Sequence, residues 1–303
     1  MTQKLAPVVL FTYKRLSHTK LVIESLQKNV LAKKSILFVL SDLFKNDNDK
    51  EDVLAVRRYI RTIKGFRRII IIENRKHRGC ANSIISGVTR ILQDFNKGIF
   101  LEDDLITSPH FLNFMNDGLS VYESNTKVAS IVGYMYPIDF KKVDTFFMKG
   151  TDCWGWATWK RAWDNFDPDG ISLYERLKKR KLLKQYDYEN NLPTSLDLIA
   201  FNKGIQDSWD NRWHASIFLK DMYSLFPTKS LIKNIGFDNT GTHCDTSQYY
   251  HSDLYNDIIP IKRKNVKVDK FYYDKVIRFH RKVKWRLRFD KVRKLMRIMN
   301  TNI

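Results

Sequence analysis

Residues 98–109 read Gly98-Ile99-Phe100-Leu101-Glu102-Asp103-Asp104-Leu105-Ile106-Thr107-Ser108-Pro109. Gly98 to Leu101 reads as a short apolar strand, and three consecutive acids then end it, because ionised carboxylates do not enter a core unpaired. Just upstream, Ile84, Val88, Ile91 and Phe95 recur at helical spacing, so a helix returns the chain to this strand. The same alternation runs back to the start. Val8 to Tyr13 reads as a strand, followed by a helix that Ser17 is placed to cap and that carries Val22, Leu26 and Val30. Ile36 to Leu40 is a second strand ending at Ser41-Asp42, and a polar loop from Lys45 to Asp52 leads to a helix with Val53, Val56, Ile60 and Ile63. Ile69 to Ile72 is the third strand, followed by Asn74 to Gly79. Short apolar runs alternating with helical patterns predict an α/β fold, with parallel strands joined by crossover helices. Ligands bind beyond the strand carboxyl ends of such a sheet. Thr12, Tyr13, Arg15, Asp42 and the acidic triplet are therefore expected to line one crevice. Asn74, Arg78, Gly79 and Asn82 add backbone amides and a cation suited to a diphosphate, although each also fits ordinary turn chemistry.

Downstream, Ser108-Pro109 suits the cap and first turn of a helix whose Leu112, Met115, Leu119 and Tyr122 face inward, and Val128 to Gly133 is another strand. From Phe146 the pattern changes. Cys153-Trp154-Gly155-Trp156-Ala157-Thr158-Trp159 and Trp163 crowd four tryptophans together, and a lysine-rich segment follows to Asn191. Most large aromatics are core, so only one or two of these rings are expected to meet a ligand. With 303 residues, 43% hydrophobic and 13% aromatic, the chain can bury one large core. Residues 1–260 are read as the main domain and 261–303 as an appendage, though no Gly/Ser or Pro-rich linker and no repeat marks a boundary.

The charge balance narrows the partners. A formal net charge of +20 calls for a polyanion: nucleic acid, anionic lipid or a phosphorylated substrate. From Arg278 to Arg297 basic residues surround Trp285, Phe289, Val292, Met296 and Met299, with Asp290 the one acid. That reads as a basic amphipathic helix lying on an anionic membrane surface. Two alternatives stay open: a helix docked on the protein's own core with its charges in water, and a short strand from the alternation of Val283 to Phe289. A nucleic-acid-binding protein is the competing class. It is disfavoured because the sequence carries no recognition-helix motif, and an acidic triplet in the crevice repels phosphates unless a metal intervenes. Cys80, Cys153 and Cys244 show no metal-ligand spacing and fit a reducing compartment. No apolar run approaches the roughly 20 residues that span a bilayer, and Met1 to Tyr13 lacks the parts of a signal peptide, so a cytoplasmic location is expected.

Glu102, Asp103 and Asp104 repel one another and raise one another's pKa unless compensated. A divalent cation is an economical compensation; a solvated acidic loop is the alternative. At this point the residues resemble a known family. Phe100 to Leu105, continuing through Ser108-Pro109 and Phe111, resembles the metal-binding segment of A-type (GT-A fold) glycosyltransferases, family 2-like, especially N-acetylglucosaminyltransferase I and its bacterial relatives. Gly155-Trp156 with Trp159 and Trp163 resembles the Gly-Trp segment that follows. Gln206-Asp207-Ser208-Trp209 resembles the catalytic segment, and Asn234-Ile235-Gly236-Phe237 with Gly241-Thr242-His243 resembles the closing loop of bacterial members. Order and spacing agree over roughly residues 6 to 245, and nothing beyond about residue 260 is covered.

The resemblance implies a single Rossmann-like mixed sheet flanked by helices, with a C-terminal helical extension. It implies a transfer of GlcNAc or another hexose from a UDP-sugar to a lipid-linked or lipopolysaccharide glycan, as in capsule or O-antigen assembly; a base at Asp207 would make the transfer inverting, and the basic segment Arg278 to Arg297 would place it at the inner face of the cytoplasmic membrane. Asp104, with His243 as a second ligand, would hold Mn2+ or Mg2+. Glu102 and Asp103 would serve the donor sugar and ribose, Asp42 the nucleotide base, and Arg15 the ribose or phosphates. Asp207, a carboxylate flanked by aromatics, is the candidate general base, with Asp210 as fallback. Trp154, Trp156 and Trp209 are the candidate sugar-stacking rings. An inactive partner subunit of the same fold is disfavoured by the presence of both Asp104 and Asp207.

Overall fold

The computed structural model describes residues 4–202, 209–238 and 247–300, of which 201–202, 247–248 and 290–300 are described by their backbone alone. Along the chain come β1 (Val8–Thr12), α1 (Leu16–Gln27), β2 (Ile36–Ser41), α2 (Asp47–Ile60), β3 (Arg68–Glu73), α3 (Cys80–Phe95), β4 (Lys97–Glu102), β5 (Leu105–Thr107) and α4 (Phe111–Val121). The second half adds β6 (Val128–Val132), β7 (Thr145–Lys149), β8 (Trp156–Trp159), α5 (Lys160–Trp163), α6 (Gly170–Lys179), α7 (Leu183–Tyr186), α8 (Thr194–Asn202), α9 (Asp210–Leu219), β9 (Tyr223–Pro227), β10 (Ile232–Asn234) and α10 (Lys270–Asn300). Eight strands form one mixed sheet in the order β3-β2-β1-β4-β8-β6-β9-β7, and β10 pairs with β5 in a separate ribbon.

β1, β2, β3 and β4 pair in parallel, as expected, while β8 runs antiparallel between β4 and β6. β1 is buried on both faces, which a central parallel strand requires. Alternation then divides it: Val8 and Leu10 join Val22, Ile23 and Met115 in one cluster, and Val9 and Phe11 join Ile84, Val88, Trp156 and Trp213 in another. The sheet is thus the middle layer between two sets of helices. Thr12, Ser41 and Glu102 end their strands on a common edge because β1 pairs in register with both β2 and β4.

Several boundaries differ from the sequence reading. α1 begins after Arg15, with no side-chain cap, and Ser17 lies inside its first turn; Thr19 Oγ1 instead donates to the Arg15 carbonyl at 2.8 Å. Val30 falls beyond the end of α1 and is exposed. α2 starts earlier than expected because Asn46 caps it, accepting from the Asp49 amide at 3.2 Å. Ser108-Pro109 precedes α4 by a turn rather than capping it, because Leu105 to Thr107 is drawn into β5 by its pairing with β10.

The appendage also differs from its first description. Tyr272, Val276 and Ile277 of α10 belong to the main cluster, and His280 and Val283 are buried with them. Ahead of the helix, the Tyr122 hydroxyl donates to the Lys262 carbonyl at 3.2 Å and accepts from the Lys264 amide at 3.0 Å. Residues 261–283 therefore finish the core of the preceding domain, and the change of character at residue 260 is one of charge.

Candidate active site

The acidic triplet leaves the sheet at Glu102, and Asp103 and Asp104 form the turn into β5. Arg15, one turn past β1, reaches across: its Nη2 pairs with Asp103 Oδ1 and, at 2.9 Å, with Asp104 Oδ2. The compensation that the sequence assigned to a metal is thus supplied in part by the protein. Burial works against the Arg15 charge, but the two aspartates outweigh it and raise its pKa. Burial raises the Asp103 carboxyl, opposed by Arg15, reinforced by Asp104 and opposed again by an amide donated from Tyr13. Glu102 is pushed up to about 8, first by burial and then by Asp104, Asp210 and Asp103, with Arg15 opposing. One guanidinium does not balance this many carboxylates.

A second segment closes on the triplet. Pairing of β10 with β5 brings Ile235 to donate its amide to the Asp104 carbonyl at 2.9 Å, while His18 Nε2 lies 3.2 Å from Asp238. Gly236 sits so close that an added Cβ would stand 2.2 Å from Asp104 Oδ2, so a side chain there would push the Asp104 carboxylate aside. Phe237 then meets the half-buried Trp154 edge-on at 5.4 Å, and Trp154 meets Tyr134 at 4.5 Å. Trp154 is therefore an aromatic wall beside the acids.

The other two candidate rings are placed differently. Trp156 is 1% exposed and Trp209 4%; they stack at 5.4 Å, with Trp163 and Trp213 packed on Trp156. A ring enclosed on both faces has none left for a sugar, so in this structure they build the core beneath the site. Asp42 is also absorbed: its carboxylate accepts from Asn74 Nδ2 at 2.9 Å and from the Arg78 and Gly79 amides at 3.1 Å, with His77 at 3.1 Å. It organises the loop 74–79 that starts α3. Asn82 and Arg78 bond within that helix start, to the Arg78 carbonyl and Ser86. Thr12 is buried at the strand edge. Tyr13 donates to Asp49 at 2.8 Å, and burial and Asp49 push its hydroxyl up to about 12.

Asp210 opens α9 and repels Glu102. Asp207 and His243 lie outside the described residues. Asp152 was missed by the sequence reading. It lies in the loop joining β7 to β8, accepts from the Trp154 amide at 2.9 Å, and is pushed up to about 7 by burial, with Asp210 adding to the shift and the Trp154 and Cys153 amides opposing it. The only signal in the sequence was an acid immediately before the tryptophan run.

Among the described residues no three His, Cys, Asp or Glu side chains form a cage for a metal ion. The donor set is nevertheless one of oxygens. A hard cation that keeps its waters and takes one or two carboxylates plus substrate phosphates fits such a site.

No protein-family model matches the sequence, and no curated protein does. Among solved structures, the chain is similar to the mannosyltransferase PcManGT from Pyrobaculum calidifontis in complex with GDP-Man and Mn2+, with a TM-score of 0.42 and 11% identity over 71% of this chain and 68% of that one. It is similar to S. aureus TarS with a TM-score of 0.33 and 13% identity over 46% of this chain and 24% of that one. Against TarS 1-349 the values are 0.41 and 11% over 75% of this chain and 59% of that one. The chain thus spans less than two thirds of either TarS structure, and overlap at this level does not assign it to a family.

Proposed function

We propose that the chain is an inverting glycosyltransferase of the A-type fold that moves GlcNAc or another hexose from a UDP-sugar to a lipid-linked or lipopolysaccharide glycan in surface-polysaccharide assembly, at the inner face of the cytoplasmic membrane. The observation that carries this reading is the meeting of Arg15 with Asp103 and Asp104 at the carboxyl edge of parallel strands, under a segment that ends in Gly236-Phe237. A surplus of carboxylates there suits a cation-bridged diphosphate and disfavours nucleic acid.

Asp104, with His243, would hold the divalent ion, Mn2+ or Mg2+, which when bound would supply positive charge against the departing diphosphate. Arg15 is in reach of the same phosphates once it leaves Asp104, and Glu102 and Asp103 face the donor sugar and ribose. Tyr13, Thr12 and Asp42 shape the nucleotide side, Asp42 through the loop that carries Arg78 and Asn82. Trp154 presents the aromatic face for the acceptor sugar. Asp207, or Asp210 in its place, takes the proton of the acceptor hydroxyl as that oxygen bonds to the anomeric carbon. The bond from that carbon to the diphosphate oxygen breaks on the opposite side, so the configuration inverts.

UDP with Mn2+ is expected to raise the thermal midpoint of the wild type, and Asp104→Ala to abolish the rise. A rise that survives in the variant or in chelator overturns the metal assignment. Asp207→Asn is expected to keep the rise while turnover drops about 100-fold; unchanged turnover moves the base to another carboxylate.

A further inference from the structure

α10 presents two unlike faces. Tyr272, Val276, Ile277, His280 and Val283 are buried against the domain, while Phe271, Trp285 and Phe289 stand 59%, 54% and 63% exposed on the other side. Trp285 and Phe289 adjoin, with ring centroids 6.3 Å apart, and a contiguous exposed apolar patch, unlike a scattered ring, marks an interaction surface. Around them stand Arg278, Arg281 and Lys282, all exposed, and among the described residues no ion pair involves these cations or Lys275. Lys275 instead lies over the rings of Phe271, at 5.0 Å, and Phe140, at 5.4 Å.

Between this face and the Pro137-Ile138 turn lies a shallow cavity of about 250 Å³, with Lys275, Arg278, Phe279 and Lys282 completing its lining. Its volume is below the ~300 Å³ at which sites for drug-sized ligands begin, and its chemistry is an apolar floor under three cations. A row of ring contacts joins it to the acidic crevice: Phe279 stacks on Tyr136 at 5.3 Å, Tyr136 meets Tyr134 at 5.5 Å, and Tyr134 meets Trp154 at 4.5 Å.

We propose that this face seats on an anionic bilayer, with a phospholipid phosphate entering the cavity among Lys275, Arg278 and Lys282 while Trp285 and Phe289 insert at headgroup level. Cations with no carboxylate partner among the described residues, set beside apolar rings, match a surface that is anionic outside and apolar a few ångströms deeper, the depth at which tryptophan favours the interface. Nucleic acid offers the phosphates without the apolar layer. The seating goes beyond a tail that merely follows the membrane potential, because the buried face of α10 fixes which side of the whole domain meets the lipid. Its link to a lipid-borne acceptor rests on the glycosyltransferase reading; the binding itself does not.

The test is co-sedimentation of the full chain with vesicles of phosphatidylcholine mixed with phosphatidylglycerol, against phosphatidylcholine alone, with tryptophan fluorescence and UDP-sugar hydrolysis followed in parallel. Arg278→Gln with Lys282→Gln is expected to weaken binding to the mixed vesicles about 25-fold, roughly fivefold per charge. Lys178→Gln with Lys179→Gln on α6 removes the same charge from another surface and is expected to bind nearly as wild type. Trp285→Ala with Phe289→Ala should lose the lipid-induced blue shift. All six substituted positions are exposed, so the fold and donor hydrolysis should persist. Equal losses in the α6 and α10 variants would leave only net charge and overturn the proposal, as would wild-type binding by both α10 variants or equal binding to phosphatidylcholine alone. Vesicle binding without donor hydrolysis sinks the transferase reading and leaves this one standing.

Discussion

Asp152 shows how a single carboxyl reports the character of the crevice. In the unfolded chain it ionises near 3.8, and in the fold it is pushed up to about 7 by burial and then by Asp210. The folded state therefore keeps a proton that the unfolded state has released, so this group's contribution to stability declines as pH rises from about 4 to about 7. Asp152→Asn is expected to gain about 1 kcal/mol or more over wild type at pH 8 and little at pH 4, the gap widening with pH in urea denaturation. A gap that is constant or shrinks with pH would show that the carboxyl is not held protonated by its surroundings. Arg15 teaches the complementary lesson. The sequence placed it after the first strand, near phosphates, but its reach to Asp103 and Asp104 joins positions 88 and 89 residues apart. That contact depends on β1 lying beside β4, and no local pattern contains it.

At the scale of elements, α10 is the most instructive. Its apolar residues signalled an amphipathic helix, and the face that carries Val276, Ile277 and Val283 is sealed into the domain. His280 is buried with it among Tyr136, Tyr188 and Tyr250 and has no hydrogen-bond partner for either ring nitrogen among the described residues. Burial pushes its pKa down to about 3. Truncation after residue 275 removes three buried aliphatic side chains at about 1.5–3 kcal/mol each. The truncated chain is accordingly expected to lose several kcal/mol and unfold at much lower temperature by circular dichroism; an unchanged midpoint would mean that the helix is not part of the core. The tryptophan run behaves in a similar way. Its composition predicted core rings with one or two left for a ligand, and Trp156 lies on β8 in the middle of the sheet, flanked by β4 and β6. Within the run only Trp154, two residues earlier in the loop, is half-exposed.

At the scale of the whole molecule, the single sheet brings the ends of β1, β2 and β4 to one edge and lays α10 across a neighbouring face. A panel of UDP-, GDP- and dTDP-sugars is expected to show donor hydrolysis with a UDP-sugar, and hydrolysis confined to GDP-sugars would move the nucleotide reading of the pocket. The parallel α/β half was legible in the sequence because each strand announces itself by a short apolar run and each helix by its spacing, both local properties of the chain. The place of the acidic triplet at a strand end was legible for the same reason, because adjacent ionised carboxylates stop an apolar run, and β4 does end at Glu102. The chain alone did not reveal the antiparallel insertion of β8, the pairing of β10 with β5 that brings Gly236 against Asp104, the loss of Asp42 and Trp156 to internal contacts, or the elevation of Asp152. Each of these depends on which distant segment removes water from a residue or supplies its partner. Burial and pairing are properties of neighbours in space, and only the tertiary structure chooses those neighbours.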